Sequence, residues 1–227
     1  MNVTPFLIKV SLTTPVLMTN GYLTLDGVLA VAHESMTGQP ARPEDIPLVQ
    51  EGGVMKGSAA FFLQGKVARK TMFGRLSPHE MVEVPEMVNP QRGGGFIIYQ
   101  NTGKFRAWMT KFIEVATDRV FWFGVGDPDR VLDLLKAIPG VGRKATLGYG
   151  AIDHSAIMVD TSVPDCSFSF RGKPARPLPV AMWHGTPAQQ TMAAVAHPYW
   201  ASPQVPCVVP VTRFFRPDAF QRGAIKP

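Results

Sequence analysis

The hydrophobic positions at the start of the chain predict a strand followed by a helix. Phe6–Thr13 is apolar, rich in β-branched residues and ends at a Thr-Pro pair, which is typical of a strand. In Leu25–Met36 the apolar residues recur at helical spacing. We expect Thr24 to be the N-cap of this helix and Asp26 to lie in its first turn, where the helix dipole favours a negative charge.

The middle of the chain predicts strands that flank an insertion. Gly53–Leu63 and Gly95–Val115 are rich in strand-forming residues. The segment from about 64 to 94 between them is basic, contains glycines and has no sustained period. We therefore predict that this segment is an insertion, a hairpin or arm that reaches out from the core.

A second strand, helix and strand follow the insertion. Arg119–Val125 is strongly β-forming. Asp127 and Pro128 are suited to cap and begin a helix that ends at the Pro-Gly pair at 139–140. Ala151–Val159 predicts the last strand of this series.

The order of these elements indicates an α+β fold. Strand, helix, strand, insertion, strand, helix and strand fit a ferredoxin-like, RRM-like βαββαβ core. We place this domain at residues 1–161. Residues 162–227 contain frequent prolines, so we expect them to form an irregular extension packed on the core.

The composition allows a sizeable core and excludes several classes of protein. With 227 residues, 45% of them hydrophobic and 18% charged, the chain is not mostly disordered. Cys166 and Cys207 form no C-x-x-C pair, which argues against zinc ribbons, iron–sulfur sites and a disulfide framework. The chain has neither an apolar run of membrane-spanning length nor a signal-peptide pattern. We expect a cytoplasmic protein without a membrane partner.

The positive charge is concentrated in windows that lack acidic residues. Lys and Arg number 23 against 17 Asp and Glu, and the isoelectric point is about 9.5, which suggests a polyanionic partner. The windows lie within 51–80, 86–114 and 165–218. Their cations are Lys56, Lys66, Arg69, Lys70, Arg75, Arg92, Lys104, Arg106, Lys111, Arg171, Lys173, Arg176, Arg213 and Arg216. Together the windows favour nucleic acid, whereas for any single window a solvated basic surface is the alternative.

The segment Gly140–Gly150 is rich in glycine and has competing interpretations. Gly140, Gly142 and Ala145 match the dinucleotide pattern G-x-G-x-x-A, but that pattern should follow a strand and here follows a predicted helix. The stretch from Leu135 to Ala145 resembles the hairpin of helix-hairpin-helix DNA-binding and repair proteins. That motif requires a second helix, which the glycines beyond Ala145 disfavour.

In a third interpretation this segment contacts nucleic acid just before the last core strand. Glycines allow positive φ angles and close backbone approach, and the adjacent cations supply charge for phosphate. A tyrosine in the segment would stack on a base or pack under the loop. A glycine-rich turn with two solvated cations is the plain alternative. The candidate RNA-binding residues are Gly140, Gly142, Arg143, Lys144, Gly148 and Tyr149.

Together with its flanking helix and strand, this segment resembles the glycine-rich loop of the RAMP superfamily of CRISPR proteins. Thr14–Leu17 followed by Leu25–Ala30 looks like the strand and "LDxLLA" opening of that superfamily. Pro198–Trp200 followed by Cys207 and Pro210 looks like the C-terminal pattern of Cas5-like subunits of type IV CRISPR effector complexes. The resemblance spans most of the chain through these separate anchors.

The resemblance implies a non-catalytic subunit of a CRISPR ribonucleoprotein for antiviral defense. Such a subunit binds the five-prime, repeat-derived handle of the guide RNA (crRNA) and caps a filament of Cas7-like backbone subunits. It also contacts the large subunit, and the whole complex reaches a target nucleic acid, which we expect to be DNA. No cofactor is implied.

In relatives the insertion forms a thumb, which corresponds to residues of about 65–103 here. Met72, Phe73 and Phe96 would wedge against bases or a neighbouring subunit, with packing inside the hairpin as the alternative. The candidate RNA-binding residues of the thumb are Lys66, Arg69, Lys70, Arg75 and Arg92.

Some RAMP relatives cut repeat RNA with a histidine as general acid or base. His33 is the candidate here, so a metal-independent CRISPR repeat endoribonuclease is the alternative function. A helix-hairpin-helix DNA-binding or repair protein is the other alternative. The histidines form no H-x-x-x-H or H-E-x-x-H pattern, so we expect no metal site.

Overall fold

The fold is described by a computed structural model that covers residues 3–19, 22–63, 65–74 and 107–210, with backbone alone for three short strands at 89–90, 96–97 and 214–215. The chain divides into two compact units. The first consists of Met1–Val67 and Glu114–Pro227, and the second of Ala68–Ile113.

The described residues form an α+β fold with two α-helices and mostly antiparallel sheets. The helices are α1 (Leu25–Thr37) and α2 (Pro128–Lys136). The longer strands are β1 (Thr4–Leu12), β6 (Lys66–Gly74), β9 (Trp108–Ala116), β10 (Arg119–Gly126) and β11 (Ile152–Asp160). The shorter strands are β2 (Val16–Met18), β3 (Gln50–Glu51), β4 (Val54–Met55), β5 (Phe61–Leu63), β7 (Asn89–Pro90), β8 (Phe96–Ile97), β12 (Ser169–Phe170), β13 (Lys173–Pro174), β14 (Leu178–Pro179), β15 (Gln190–Ala193), β16 (Val205–Val208) and β17 (Phe214–Phe215).

The main sheet of the first unit has five strands in the order β11-β1-β10-β5-β17. β1 pairs antiparallel with both β10 and β11, and β10 pairs antiparallel with β5. In the chain α1 lies between β1 and β5, and α2 lies between β10 and β11. Each helix therefore connects two strands that have one other strand between them in the sheet.

Both predicted helices and the predicted strands at Phe6–Thr13, Arg119–Val125 and Ala151–Val159 are confirmed with small shifts at their ends. The predicted strand segment Gly53–Leu63 instead holds two short strands, β4 and β5, which belong to different sheets. α2 begins as the sequence predicts, because Pro128 is its first residue and the Asp127 side chain accepts a hydrogen bond from the Arg130 backbone N–H at 3.3 Å. α1 runs one residue further than Met36 and is followed by Gly38 in the left-handed conformation.

α1 packs its apolar residues on the sheet. Leu25, Val28, Leu29 and Ala32 are buried, as their helical spacing predicts. Trp122 of β10 is fully buried, and its Nε1 donates a hydrogen bond to the Leu23 carbonyl at 3.0 Å. This bond satisfies the polar atom of the largest side chain in the core.

The C-terminal part of the chain buries a second group of sheet residues. Phe61 and Phe123 of the sheet form one cluster with Val163, Cys166 and Phe170. The ring centroids of Phe123 and Phe170 lie 4.9 Å apart, and those of Phe61 and Phe170 lie 5.5 Å apart. RRM proteins use aromatic residues on an open sheet face to stack on bases. Here the aromatic residues are covered by their own chain.

In the second unit the strands β6 and β9 are hydrogen-bonded neighbours. Gly74 of β6 makes room for Trp108 of β9, since a Cβ at this glycine would lie 2.4 Å from the indole Nε1. Phe73 is 78% exposed, so its ring is not packed inside the hairpin. The placement of Arg75 and Arg92 and of the Phe96 side chain lies outside the described residues.

Candidate nucleic-acid interface

The glycine loop, residues 140–150, connects α2 to β11 without a second α-helix. Ala145–Leu147 forms a single 3₁₀ turn, and β11 begins at Ile152. Gly148 and Gly150 have φ angles of +86° and +62°, which lie outside the α-helical region. The helix-hairpin-helix interpretation is therefore wrong, because the chain turns into a strand where that motif requires a helix. The loop also follows a helix, which removes the dinucleotide interpretation.

Thr14 fastens the glycine loop to the end of β1. Its Oγ1 donates a hydrogen bond to the Gly148 carbonyl at 2.6 Å and accepts one from the Ala151 N–H at 2.9 Å. A side chain that is local to the first strand in sequence thus determines where the loop lies. The sequence places Thr14 at the end of that strand and in the opening pattern of the resemblance, but does not connect it with the loop.

Backbone hydrogen bonds to residues just after Thr14 hold the loop as well. The Arg143 N–H donates to the Leu17 carbonyl at 2.7 Å, and the Gly150 N–H donates to the Pro15 carbonyl at 2.8 Å. The loop is thus bonded to Pro15 before β2 and to Leu17 within β2, so its backbone is held without a ligand.

Two loop glycines are required by the packing of this backbone. A Cβ at Gly150 would lie 2.0 Å from the Val141 carbonyl oxygen, and one at Gly142, whose φ is +90°, would lie 2.7 Å from the Leu17 carbonyl oxygen. Gly148 differs, because a Cβ there would have no atom within 4 Å. Among the loop glycines with positive φ, Gly148 is therefore the one with open space beside it, although its N–H donates to the Ala145 carbonyl at 2.9 Å and its carbonyl accepts from Thr14.

Gly140 resembles Gly142 and Gly150 in having no open space beside it, since a Cβ at this position would lie 2.7 Å from the Gly150 carbonyl oxygen. Its role is to let the two ends of the loop meet, where it forms an isolated bridge with Ala151. The sequence identifies a glycine-rich loop, but only the packing separates the structural glycines from the open one.

The loop cations stand next to each other just before the 3₁₀ turn. Arg143 is exposed, and Lys144 is partly buried in the left-handed conformation with a φ of +61°. Tyr149 is partly buried, whereas Leu147 is 66% exposed. The exposed face of the loop thus combines a cation with an apolar side chain that the sequence analysis did not select.

The thumb candidates that can be placed lie on β6. Lys66 and Arg69 are exposed, and Lys70 is partly buried. Because side chains alternate along a strand, Lys66 and Lys70 share one face and Arg69 points to the other. Arg69 and Lys70 belong to the second unit, whereas the glycine loop belongs to the first.

Lys56 does not contribute to a basic surface, contrary to the expectation from its acid-free window. Its ammonium group lies 2.6 Å from the Asp165 carboxylate and 3.2 Å from that of Glu51. Burial tends to lower the pKa of Lys56, but these two carboxylates outweigh it and raise the pKa. Glu51 bounds the window and Asp165 comes from a distant part of the chain, and together they neutralise the charge of Lys56.

Arg176, in the third acid-free window, does not contribute to a basic surface either, because it is fully buried. Its guanidinium lies 3.4 Å from the Asp26 carboxylate in α1, and both side chains are 0% exposed. It also donates to the carbonyls of Met55 at 2.6 Å and Gly57 at 2.9 Å. Arg176 is therefore part of the core and is withdrawn as a candidate for a nucleic-acid contact.

Tyr199 completes this buried network. Its hydroxyl donates to Asp26 at 2.5 Å and accepts from Arg176 at 3.0 Å. Burial and the neighbouring carboxylate raise the pKa of Tyr199, so the phenol stays protonated. Thr24 is the N-cap residue of α1 as predicted, but its Oγ1 pairs with the Tyr199 hydroxyl at 2.9 Å and makes no capping hydrogen bond.

His33 lies on α1 beside an acid that the sequence analysis did not connect with it. Its Nε2 is 3.8 Å from the Asp45 carboxylate. Both residues line an open cavity of about 250 Å³, together with Arg130 and Asp133 of α2. The Asp45 carboxylate also accepts a hydrogen bond from the Arg42 backbone N–H at 2.9 Å, so Arg42 competes for it.

Within the described ranges, no group of three or more His, Cys, Asp or Glu side chains is arranged to hold a metal ion. No helix in the part of the chain that the structure describes is long and apolar enough to cross a membrane.

Comparison with known proteins matches the chain to one family. Residues 60–210 match the family model described as CRISPR type IV associated protein Csf3. No curated protein matches the chain. The matched range includes the glycine loop, the buried arginine and the C-terminal strands β12–β16. Because this range covers more than half of the sequence, the chain belongs to the Csf3 family of type IV CRISPR associated proteins.

Proposed function

We propose that this type IV CRISPR subunit binds the five-prime, repeat-derived handle of the guide RNA and has no catalytic role of its own. The observation that carries the proposal is the preformed glycine loop. Its backbone is hydrogen-bonded to Pro15 and to Leu17 of β2, there is open space beside Gly148, and Arg143 is exposed in the same loop. A fixed loop with an exposed cation and open space beside one of its glycines is suited to hold a phosphate at low entropic cost.

The proposal includes a ferredoxin-like core that places this loop. The strand order β11-β1-β10-β5, with a helix joining alternate strands, supports a βαββαβ arrangement. In such a core the glycine loop leads into the edge strand β11. The covered sheet face around Phe61 and Phe123 argues that RNA binds at the loop rather than on the sheet.

In the complex, this subunit caps one end of a filament of Cas7-like backbone subunits and contacts the large subunit. The insertion acts as a thumb that grips the RNA backbone. The exposed cations Lys66 and Arg69 and the exposed ring of Phe73 support this role. The assembled complex would then present the guide to a target nucleic acid, which we take to be DNA.

The test compares a double variant, Arg143→Ala with Lys144→Ala, with a matched control, Lys136→Ala with Lys173→Ala. The control removes the same charge from exposed positions on α2 and β13. Each protein is purified from cells that express its genomic neighbours, and the bound RNA is extracted and sequenced with its ends mapped.

The wild type and the control should carry RNA with a constant repeat-derived five-prime end. The loop variant should lose this RNA, and the slope of log affinity against log salt should fall by about 0.7 for each phosphate contact removed. Equal RNA retention by the loop variant and the control would refute the loop as the binding site. Absence of a constant five-prime end would refute handle binding.

Metal-independent cleavage of repeat RNA is a second candidate, because His33 and Asp45 line an open cavity together with Arg130. The wild type and His33→Ala are incubated with repeat RNA in a chelator. Cleavage by the wild type that His33→Ala abolishes would replace the binding role with an enzymatic one. Intact RNA with both proteins would exclude cleavage at this site.

A further inference from the structure

The C-terminal region carries a long stretch without charge. No Asp, Glu, Lys or Arg occurs between Arg176 and Arg213, and the buried Arg176 adds none to the surface. This stretch includes the three-stranded sheet β14-β16-β15 and the turn between β15 and β16. The stretch itself therefore adds no formal charge to the surface unless a histidine is protonated, and the carboxylates of Asp26 and Glu34 in α1 act on His197 from outside it.

Large apolar side chains are exposed on this uncharged region. Trp200 is 81% exposed, Met192 is 54% exposed and Val180 is 37% exposed. Met192 lies on β15, which is an edge strand of its sheet in the described part of the chain. An exposed tryptophan and methionine on an uncharged surface have the composition that distinguishes the centre of a protein interface.

Trp200 is presented from a rigid support. The neighbouring Tyr199 is fixed by its hydrogen bonds to Asp26 and Arg176, and its ring lies 3.4 Å from where a Cβ of Gly27 would stand. The indole of Trp200 also contacts the His197 ring edge to face, with the ring centroids 5.5 Å apart. The backbone of Trp200 is thus held while its side chain faces solvent, which lowers the entropic cost of using it as an anchor.

We infer that this region, which exposes Trp200 and Met192, is a docking surface for a protein partner, and that the partner offers an uncharged, mainly apolar surface with a recess for the indole. The inference rests on the part of the proposed function that makes the chain a subunit of a complex. A nucleic acid is the less favoured occupant, because phosphate binding requires cations and none lies between Arg176 and Arg213. A neutral protein surface matches the charge and the exposed apolar area.

The test places a photo-crosslinking amino acid at Met192 and leaves Trp200 in place. The chain is co-expressed with its genomic neighbours and irradiated in the assembled complex. The matched control carries the same amino acid at Met158, an exposed methionine on β11. Each crosslinked product is treated with nuclease and with protease, and its formation is measured at low salt and at 1 M salt.

We expect one discrete protein product from position 192, resistant to nuclease and still formed at high salt, and none from position 158. Adding Trp200→Ala should weaken retention of that partner about 30-fold or more, and Trp200→Phe should restore part of it. Because Trp200 is exposed, the thermal midpoint of the isolated Trp200→Ala chain should match the wild type, which separates loss of docking from loss of folding.

A nuclease-sensitive product at position 192 would overturn the inference in favour of nucleic acid. Unchanged partner retention with Trp200→Ala would overturn it as well. The guide-RNA content of the same complexes is measured in parallel. A Trp200-dependent protein product in complexes that lack handle RNA would refute the proposed RNA role and leave the docking surface standing.

Discussion

Replacing Arg176 by methionine should destabilise the fold severely while leaving the surface unchanged. Methionine fills much of the space of the arginine stem but has no donor for the Asp26 carboxylate, which is fully buried. Tyr199 would remain as its hydrogen-bond donor in the network. The carbonyls of Met55, Gly57 and Val195 would also lose the guanidinium.

The expected cost follows from the uncompensated charge. Removing one partner of a buried ion pair costs about 3–5 kcal/mol, because the remaining charge is neither solvated nor paired. Domains are stable by about 5–15 kcal/mol, so the variant loses a large share of the free energy of unfolding. For a chain of 227 residues, each kcal/mol lowers the melting temperature by about 2–4 °C, which predicts a decrease of about 8–16 °C for a loss of about 4 kcal/mol.

The assay is thermal and urea unfolding of the purified chain, followed by circular dichroism. Lys173→Met is the matched control, since it makes the same kind of change at an exposed position near Arg176 and should stay within about 0.5 kcal/mol of the wild type. Asp26→Leu combined with Arg176→Met replaces the pair by apolar residues and should recover at least about 2 kcal/mol relative to Arg176→Met alone.

Two results would refute this reasoning. If Arg176→Met unfolds within about 1 kcal/mol of the wild type, the guanidinium does not compensate a buried charge. If the double variant is destabilised by the sum of its single changes, the two side chains are not energetically coupled.

Three other predictions concern the loop, a buried thiol and a surface ion pair. Gly150→Ala should destabilise the chain more than Gly148→Ala, because only the Gly150 variant places a Cβ 2.0 Å from a carbonyl oxygen. Gly148→Ala should cost about 1–2 kcal/mol, for its left-handed φ alone. Urea unfolding of both variants checks this order. Burial raises the pKa of Cys166 to about 11 from 9.0, so the contribution of this thiol to stability is complete below pH 9 and declines as the pH rises toward 11. The free energy of unfolding of Cys166→Ala should therefore decline less at alkaline pH than that of the wild type. Equal declines would contradict this prediction. Burial tends to raise the pKa of Asp165, but hydrogen bonds from Lys56 and Ser167 outweigh it and lower the pKa. Its contribution is therefore present above pH 3.8 and lost as the pH falls below that value, and Asp165→Asn should unfold with a weaker acid dependence than the wild type.

Local signals in the sequence were sufficient for most of the core elements. Asp127 and Pro128 mark the start of α2 because capping is decided by neighbouring residues. The β-forming run that became β10 is long enough to predict a strand without knowledge of its partners. These patterns depend on residues only a few positions apart, so the sequence alone contains them.

Contacts between distant residues account for the failures. Arg176 looks like a solvated cation in sequence, because its partner Asp26 is 150 residues away. Lys56 lies in an acid-free window, yet Asp165 reaches it from another part of the chain. The glycine loop was recognised, but the distinction between Gly148 and Gly150 depends on backbone that packs beside them in space.

The position of β1 between β10 and β11 in the main sheet limits the order in which this chain can fold. β1 pairs with β10 and β11, which are synthesised more than a hundred residues after it. Phe6, Leu7 and Ile8, which are fully buried in the folded chain, therefore stay uncovered on the ribosome until those strands emerge. Such non-local pairing makes folding slow, and we expect the yield of this subunit to depend on chaperones that bind extended apolar segments.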